Sequence, residues 1–141
     1  MEKSVPKKLT IIVESGTLDK LYCAFIMSSA AVAMDWEAHL YFTFWGLRML
    51  RIGEMEKARL DSTNKDLEEG LRKRLEEMKY PTPYQMLKQI KATGRLTIYA
   101  CTPTMSMFNI KKEELIPEVD KLAGAAQMLD IASGADVTLF I

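Results

Sequence analysis

The stretch LTIIVESGTL, residues 9–18, decides the fold of this chain. Its first five residues are apolar or β-branched, as in a strand that is covered on both faces, and Ser15-Gly16-Thr17 forms a turn that leads into a helix. Short segments of the same character recur at residues 40–44, 96–100 and 137–141, and helical patterns lie at residues 18–34, 67–78, 84–92 and 118–132. This alternation predicts an α/β sandwich built on a mostly parallel sheet of four to five strands.

Length and composition exclude several classes of protein. The chain has 141 residues, of which 48% are hydrophobic and 27% are charged, so we expect one globular domain over residues 1–141. Basic and acidic residues balance at 19 each, which leaves no basic field to attract nucleic acid. The longest apolar stretch, residues 21–34, is shorter than the roughly 20 residues of a spanning helix. Residues 1–8 have no apolar core of a secretory signal, so we expect a cytoplasmic protein without membrane partners.

Residues 53–83 differ from the rest of the chain in their charge. They carry eight acidic and seven basic side chains together with a thin apolar line at every third or fourth position. This pattern predicts a solvated amphipathic helix, in which i,i+4 ion pairs such as Glu68–Arg72 contribute about 0.2–0.5 kcal/mol each. The alternative is a mobile flap over the ligand-binding edge of the sheet, because the segment begins after the second strand.

Several catalytic and metal-binding chemistries lack the residues that they need. The one histidine, His39, falls near the start of the second strand, away from the strand ends where parallel sheets bind ligands, so we expect a structural role. Two cysteines and one histidine do not make a zinc site. Gly16 and Thr17 are a weak anion-binding signal that an ordinary turn between strand and helix also explains. We therefore expect neither a metal nor a cofactor.

Cys101 is the strongest candidate for chemistry. It follows the strand over residues 96–100 and precedes a turn that should enter a short helix with Thr102 or Thr104 as its cap. Amide dipoles at a helix start favour the thiolate, which is the form of cysteine that attacks sulfur or takes up a second sulfur atom. A functional sulfur would contact solvent at the rim of the sheet. Position alone leaves open the alternative that Cys101 is a small buried hydrophobic residue.

Other side chains near this strand end, and the second cysteine, have weaker signals. Tyr99, Thr102 and Ser106 could hydrogen-bond a sulfur anion, although hydroxyl groups at strand ends also commonly cap helices. Cys23 lies in a first helix that is apolar nearly all round, where packing is the simpler interpretation and a resolving thiol for Cys101 is the alternative. The all-round apolarity indicates a helix face that another subunit covers, and hence a homo-oligomer.

Most of the chain outside residues 53–83 resembles the DsrE/DsrF-like family. The resemblance rests on the first strand and its turn, the run YFTFWGL at residues 41–47, the segment YAC at residues 99–101 followed by MSM at residues 105–107, and the ending over residues 123–141. It implies a three-layer α/β/α sandwich that assembles into trimers or hexamers. It also implies a cysteine that carries sulfur as a persulfide or thiosulfonate, and Cys101 matches that position.

The leading hypothesis is therefore a soluble sulfur carrier or sulfurtransferase-like protein. Cys101 is the candidate catalytic residue, and the candidate binding residues are Gly16, Thr17, Tyr99, Thr102 and Ser106. The resemblance implies sulfur donor and acceptor proteins as partners, such as a TusA-like carrier or a rhodanese. The alternative is a non-catalytic oligomer of the same fold that binds a small ligand or another protein.

Overall fold

A central sheet with helices along the connections between its strands makes up the chain over residues 4–141, which the computed structural model describes. The strands are β1 (Lys8–Val13), β2 (Glu37–Phe42), β3 (Leu96–Cys101), β4 (Lys121–Ala123) and β5 (Val137–Phe140). The α-helices are α1 (Leu18–Ala33), α2 (Phe44–Arg48), α3 (Glu68–Glu77), α4 (Pro83–Lys91), α5 (Thr102–Met107) and α6 (Ala125–Ser133). Three single turns of 3-10 helix lie at Met55–Lys57, Lys65–Leu67 and Lys112–Glu114.

All neighbouring strands of the sheet run parallel, in the order β4-β3-β2-β1-β5. The carboxyl ends of the strands therefore meet at one edge. β3 lies between β2 and β4, with Ala100 opposite Phe42 and Cys101 opposite Ala123. This topology confirms the predicted mostly parallel sheet and brings the end of β3 to the interior of that edge.

The helices cover the two faces of the sheet as separate layers. α1 and α4 pack together on one face, where the ring of Phe25 in α1 lies 6.5 Å from that of Phe42 in β2. The fully buried Ile11 and Val13 of β1 share this face because side chains alternate along a strand. The connection from β4 to β5 crosses the whole sheet in the opposite direction, and right-handed crossover places α6 on the other face. The protein is a three-layer α/β/α sandwich.

The helix predicted over residues 118–132 is wrong in its first half. Residues 121–123 form β4 instead, and α6 begins only at Ala125. The carboxylate of Asp120 accepts a hydrogen bond from the Ile98 N–H at 2.7 Å, and the Ile98 carbonyl accepts one from the Asp120 N–H at 2.9 Å. These long-range bonds hold the segment beside β3, and a strand of three residues is too short to have a recognisable period.

The second strand ends earlier than the predicted segment at residues 40–44, because the chain turns after Phe42 into α2. α2 lies very close to β1: the Gly46 N–H donates to the Glu14 carbonyl at 2.8 Å, and a Cβ on Gly46 would stand 2.3 Å from the Val13 carbonyl oxygen. Only glycine permits this approach. The end of β1 and the end of β2 are thereby held together at the carboxyl edge.

The last strand was expected to be covered on both faces, and this expectation is wrong. β5 lies at the edge of the sheet beside β1, and its Phe140 is 70% exposed. Val137 and Thr138 are exposed as well. An apolar pattern indicates that a strand avoids water but does not say whether its own chain supplies the cover.

The charged excursion over residues 53–83 contains α3, which confirms the helix predicted there. Its ion pairs include a buried carboxylate, that of Glu68. Glu68 accepts hydrogen bonds from the Leu60 N–H at 2.7 Å and from the side chains of Arg59 and Arg72 at 3.2 Å each. The Arg59 carbonyl in turn accepts from the first backbone N–H of α1 at 2.9 Å. The excursion is therefore anchored to the start of α1.

One side of α1 is apolar and has no cover within residues 4–141. Cys23, Ile26, Met27 and Met34 are all exposed there, so the expected packing role of Cys23 is wrong for this chain by itself.

None of the helices that the structure describes has both the length and the apolar character to cross a bilayer.

Candidate functional site

Cys101 ends β3 and is also the N-cap residue of α5. Its backbone is still extended (φ −69°, ψ 114°), and Thr102 and Pro103 already occupy the first turn of the helix, where proline is well tolerated. The expectation that Thr102 or Thr104 caps this helix is therefore wrong by one or more positions. The predicted placement of sulfur at a strand end and a helix start is confirmed.

The Cys101 residue is only 6% exposed, which is less than the solvent contact expected for it. The short helix α5 lies directly over the end of β3, and α2 packs against α5. Polar groups nevertheless surround part of the Cys101 side chain. The hydroxyl groups of Tyr41 in β2, of Thr43 just before α2 and of Thr104 in α5 lie close to its sulfur.

Thr104 is the central hydrogen-bonding partner of the sulfur. Its Oγ1 donates to Cys101 Sγ at 3.3 Å, accepts from the Phe44 N–H at 3.1 Å, and lies 3.0 Å from Thr43 Oγ1. A hydroxyl group donates one hydrogen bond and accepts two. The Phe44 amide fills one acceptor position, and the one proton of Thr104 is directed at the sulfur. The one proton of Thr43 has two acceptors within reach, Thr104 Oγ1 and the sulfur.

Tyr41 supplies a further hydroxyl from β2. Its OH carries one proton and has two acceptors within reach, the Ala123 carbonyl at 3.3 Å and the Cys101 sulfur. Burial first, and then the interaction with Cys101, raise the pKa of Tyr41 well above its ordinary value. The phenol therefore stays protonated and acts as a donor.

These contacts set the protonation state of the thiol. Burial acts to raise the pKa of Cys101, and the hydroxyl groups of Thr104, Thr43 and Tyr41 act to lower it. The Thr104 N–H also faces the sulfur and lowers the pKa, although it falls short of a regular capping hydrogen bond. The net pKa lies below the ordinary value for cysteine, because hydrogen bonds to the charged form outweigh the cost of desolvating it. The site therefore stabilises the thiolate relative to that of an ordinary cysteine.

The side chains of Tyr99, Thr102 and Ser106, three of the five predicted binding residues, face groups other than the Cys101 sulfur. The Tyr99 hydroxyl is 3.0 Å from His39 Nδ1, toward the start of β2, and Ser106 is exposed on the outer side of α5. The Thr102 hydroxyl faces Gly124 at the start of α6. Within residues 4–141, none of these three residues is among the groups that hydrogen-bond the Cys101 sulfur.

Gly16 and Thr17, in the turn between β1 and α1, have local structural roles. A Cβ on Gly16 would stand 2.5 Å from the Trp45 carbonyl oxygen, so glycine is required for the contact with α2. Thr17 is the N-cap residue of α1, and its Oγ1 lies 3.4 Å from Ser15 Oγ. Neither is among the groups that bond the Cys101 sulfur.

Sequence reasoning missed Tyr41, Thr43 and Thr104 as partners of the sulfur. Two signals were present in the chain. Thr104 is three residues after Cys101, the spacing at which an N-cap side chain meets its helix. Thr43 directly follows the residue that pairs with Ala100, so it stands level with Cys101 once β2 and β3 are aligned.

The two cysteines are in different environments. Both thiols are free, with Cys101 buried and Cys23 exposed on α1.

His39 is hydrogen-bonded to Tyr99, and its Nε2 lies 3.4 Å from the Glu37 carboxylate. Burial is the main cause of the lowered pKa of His39. These positions agree with the structural role expected of His39 and give Cys101 no histidine base.

A parallel α/β/α sandwich with a cysteine whose ionised form is stabilised at its carboxyl edge defines a class of thiol protein. The chain belongs to the DsrE/DsrF/DrsH-like family, whose sequence model matches residues 5–93 and 67–140. Membership confirms the resemblance drawn from the strand ends and the YAC segment.

Two curated relatives align with almost the whole chain. One is the sulfur carrier protein DsrE2 of Allochromatium vinosum, with 30% identity over 157 aligned positions that cover 96% of this chain and 98% of that protein. The other is the uncharacterized protein YrkE of Bacillus subtilis, with 29% identity over 157 positions that cover 96% of this chain and 97% of YrkE.

A solved structure has a similar fold. It is the protein of unknown function MTH1491 from Methanobacterium thermoautotrophicum, with a TM-score of 0.57 over 96% of this chain and 99% of that one. The sequence identity is 9%, so this likeness concerns the fold alone.

Proposed function

We propose that this protein is a sulfur carrier in which Cys101 holds a sulfane sulfur atom as a persulfide, or a sulfonate group bonded to Sγ as a thiosulfonate. The observation that carries the proposal is the set of hydroxyl donors around Cys101 Sγ, with Thr104 at 3.3 Å, which favours the attacking thiolate. The similarity to the carrier protein DsrE2 supports the same assignment.

The transfer follows the rules of thiol exchange and balances without an external oxidant. The Cys101 thiolate attacks the outer sulfur of a donor persulfide, so that a bond forms between Sγ and that sulfur. The sulfur–sulfur bond of the donor breaks, and the donor leaves as a thiolate. In the reverse direction an acceptor thiolate takes the outer sulfur and Cys101 leaves as the thiolate that its hydrogen bonds stabilise.

Access to the sulfur requires a local movement. Cys101 is 6% exposed, and the element above it is α5, a helix of six residues that packs chiefly on α2 and β3. A short helix with few contacts is a low-stability unit that opens more readily than the sheet. Displacement of its first turn exposes the end of β3 to a donor or an acceptor.

The proposal includes partners and an assembly. The donor and acceptor are proteins that bear persulfide or thiol groups, with a TusA-like carrier or a rhodanese as candidates. The two free cysteines of this chain, Cys23 and Cys101, fit a cytoplasmic location. The uncovered apolar residues of α1 and the exposed β5 favour a homo-oligomer, and the resemblance to the family makes a trimer or hexamer the candidate assembly. They also support the second candidate, a non-catalytic interaction oligomer of the same fold.

Mass spectrometry of the intact chain tests the carrier function. After incubation with polysulfide and removal of excess reagent, Cys23→Ser should gain one sulfur atom, and the double variant with Cys101→Ser should gain none. Added thiol should remove the sulfur from the first protein. Equal loading of both variants would contradict the role of Cys101. A Cys101 thiol that stays unloaded and titrates near the reference pKa of about 8.5 would favour the interaction oligomer.

A further inference from the structure

An exposed aromatic cluster borders the thiol site. Phe44 is 39% exposed and Trp45 is 52% exposed, at the start of α2. The rings of Trp45 and Phe108 stack with centroids 5.3 Å apart, and Phe44 meets Phe108 edge to face at 5.9 Å. Contiguous exposed aromatic residues are typical of surfaces that bind another protein.

The cluster is joined to the sulfur by two hydrogen bonds. The Phe44 N–H donates to Thr104 Oγ1, and Thr104 Oγ1 donates to Cys101 Sγ. Phe44 also has a φ of +45°, a left-handed conformation that is strained for a bulky residue. Strained backbone of this kind concentrates at functional sites. A molecule that rests on the cluster therefore lies next to the reactive group.

The rim of the cluster is basic. Arg48, Arg51 and Ile110 line a cavity of about 280 Å³ together with Trp45 and Phe108. Arg51 lies 3.4 Å from Glu114, whereas Arg48 has no ion-pair partner among residues 4–141. Aromatic rings with an uncompensated arginine beside them are complementary to an acidic peptide segment that also carries apolar side chains.

We propose that this aromatic–arginine patch (Phe44, Trp45, Arg48, Arg51 and Phe108) docks the acceptor protein through an acidic segment that flanks the acceptor cysteine. The proposal rests on the proposed carrier function. The docked acceptor thiolate attacks the outer sulfur of the Cys101 persulfide; one sulfur–sulfur bond forms, one breaks, and Cys101 returns to the thiolate. The patch sets which thiol reaches the sulfur, and Cys101 performs the exchange.

Sulfur transfer to defined thiols tests the docking proposal. The Cys23→Ser protein is loaded with one sulfur and offered a short cysteine peptide flanked by Glu, Asp and Leu, the same peptide with Lys in place of the acids, or 2-mercaptoethanol. Each peptide rate is divided by the rate of that peptide with a small free persulfide, which removes differences in thiol reactivity. The acidic peptide should then react about tenfold faster than the basic one at low salt, and the difference should shrink as salt is added.

Two charge reversals separate docking from general electrostatics. Arg48→Glu should abolish or invert the preference for the acidic peptide. Lys73→Glu makes the same change of charge on the exposed side of α3 and should leave the preference in place. Trp45→Ala should weaken the preference without changing the charge of the protein.

The possible failures are distinguishable. If 2-mercaptoethanol removes the sulfur while the two peptides react at equal normalised rates, the docking proposal is overturned and the carrier function stands. If no thiol removes the sulfur, both proposals are wrong. If Arg48→Glu or Trp45→Ala changes the sedimentation coefficient, a second copy of the chain occupies the patch, which also overturns docking of an acceptor there.

Discussion

Replacing Thr104 with valine tests whether the hydroxyl network sets the chemistry of Cys101. The change keeps the branched shape of a fully buried side chain and removes one hydroxyl group. The sulfur loses its donor at 3.3 Å, and the Phe44 N–H loses its acceptor at 3.1 Å. Thr104→Ser is the matched control, because it keeps the hydroxyl and removes only a methyl group.

The expected magnitude follows from the value of a hydrogen bond to a charged group, about 1.5–3 kcal/mol. A sulfur acceptor that Thr43 and Tyr41 also approach, each with a proton that a second acceptor can take, belongs at the low end of this range. Since one pKa unit corresponds to about 1.4 kcal/mol, Thr104→Val should raise the pKa of Cys101 by about one unit. The thiolate population below both pKa values should fall about tenfold. The unpaired amide of Phe44 should cost a further 1–3 kcal/mol or so of unfolding free energy.

Thiolate absorbance as a function of pH measures this shift without any reagent that must reach the buried sulfur. The titration is made in the Cys23→Ser background, so that one thiol contributes. Urea unfolding of the same proteins confirms that each variant is folded over the titrated range. If Thr104→Val and Thr104→Ser titrate at the same pKa as the parent, the hydroxyl of Thr104 does not stabilise the thiolate and the reasoning fails.

Two further predictions concern the frame around the site. Gly16→Ala should lower the unfolding free energy by about 1–3 kcal/mol, because its Cβ would stand 2.5 Å from the Trp45 carbonyl oxygen. Gly70→Ala, inside α3 where a Cβ would have nothing within 4 Å, should instead raise the unfolding free energy by about 0.5–1 kcal/mol. Urea titrations in which both substitutions shift the unfolding free energy in the same direction would contradict this reasoning. The Leu60 N–H, and then Arg72 and Arg59, lower the pKa of Glu68. Its ionised form therefore stabilises the fold above the unfolded pKa of about 4.3, and this contribution is lost as the pH falls through the lower folded pKa. Melting temperatures of the parent and of Glu68→Gln should differ at neutral pH and converge in acid; a difference that persists in acid would exclude this explanation.

The local elements of the fold were largely predictable. Strand and helix patterns depend on neighbours within one or two turns of chain, so β1, β3, α1, α3 and α4 match the sequence patterns closely. β4 was not predicted, because it is three residues long and is held in place by the hydrogen bonds between Asp120 and Ile98. α2 was not predicted, because its position depends on the close contact of Gly46 with the backbone of Val13.

The candidate site was predictable in its central residue and not in its surroundings. Cys101 stands between a strand pattern and a Thr-Pro-Thr turn, which is local information. Tyr41 belongs to β2 and Thr43 directly follows that strand, about 60 residues before Cys101 in the chain, and Thr43 reaches Thr104 across a separation of 61 residues. Their contribution depends on the register between β2 and β3, which composition and periodicity do not specify.

The sequence by itself determined the alternation of strands and helices and the parallel direction of the strands that this alternation implies. It also determined that Cys101 lies where a strand meets a helix. These features depend on short-range geometry. Only the tertiary structure decided that the thiol is buried beneath α5, that three hydroxyl groups converge on it, and that Phe44 and Trp45 are exposed beside it. Burial and hydrogen bonding are properties of segments brought together from distant parts of the chain. The protonation state of Cys101 is therefore a property of the folded molecule.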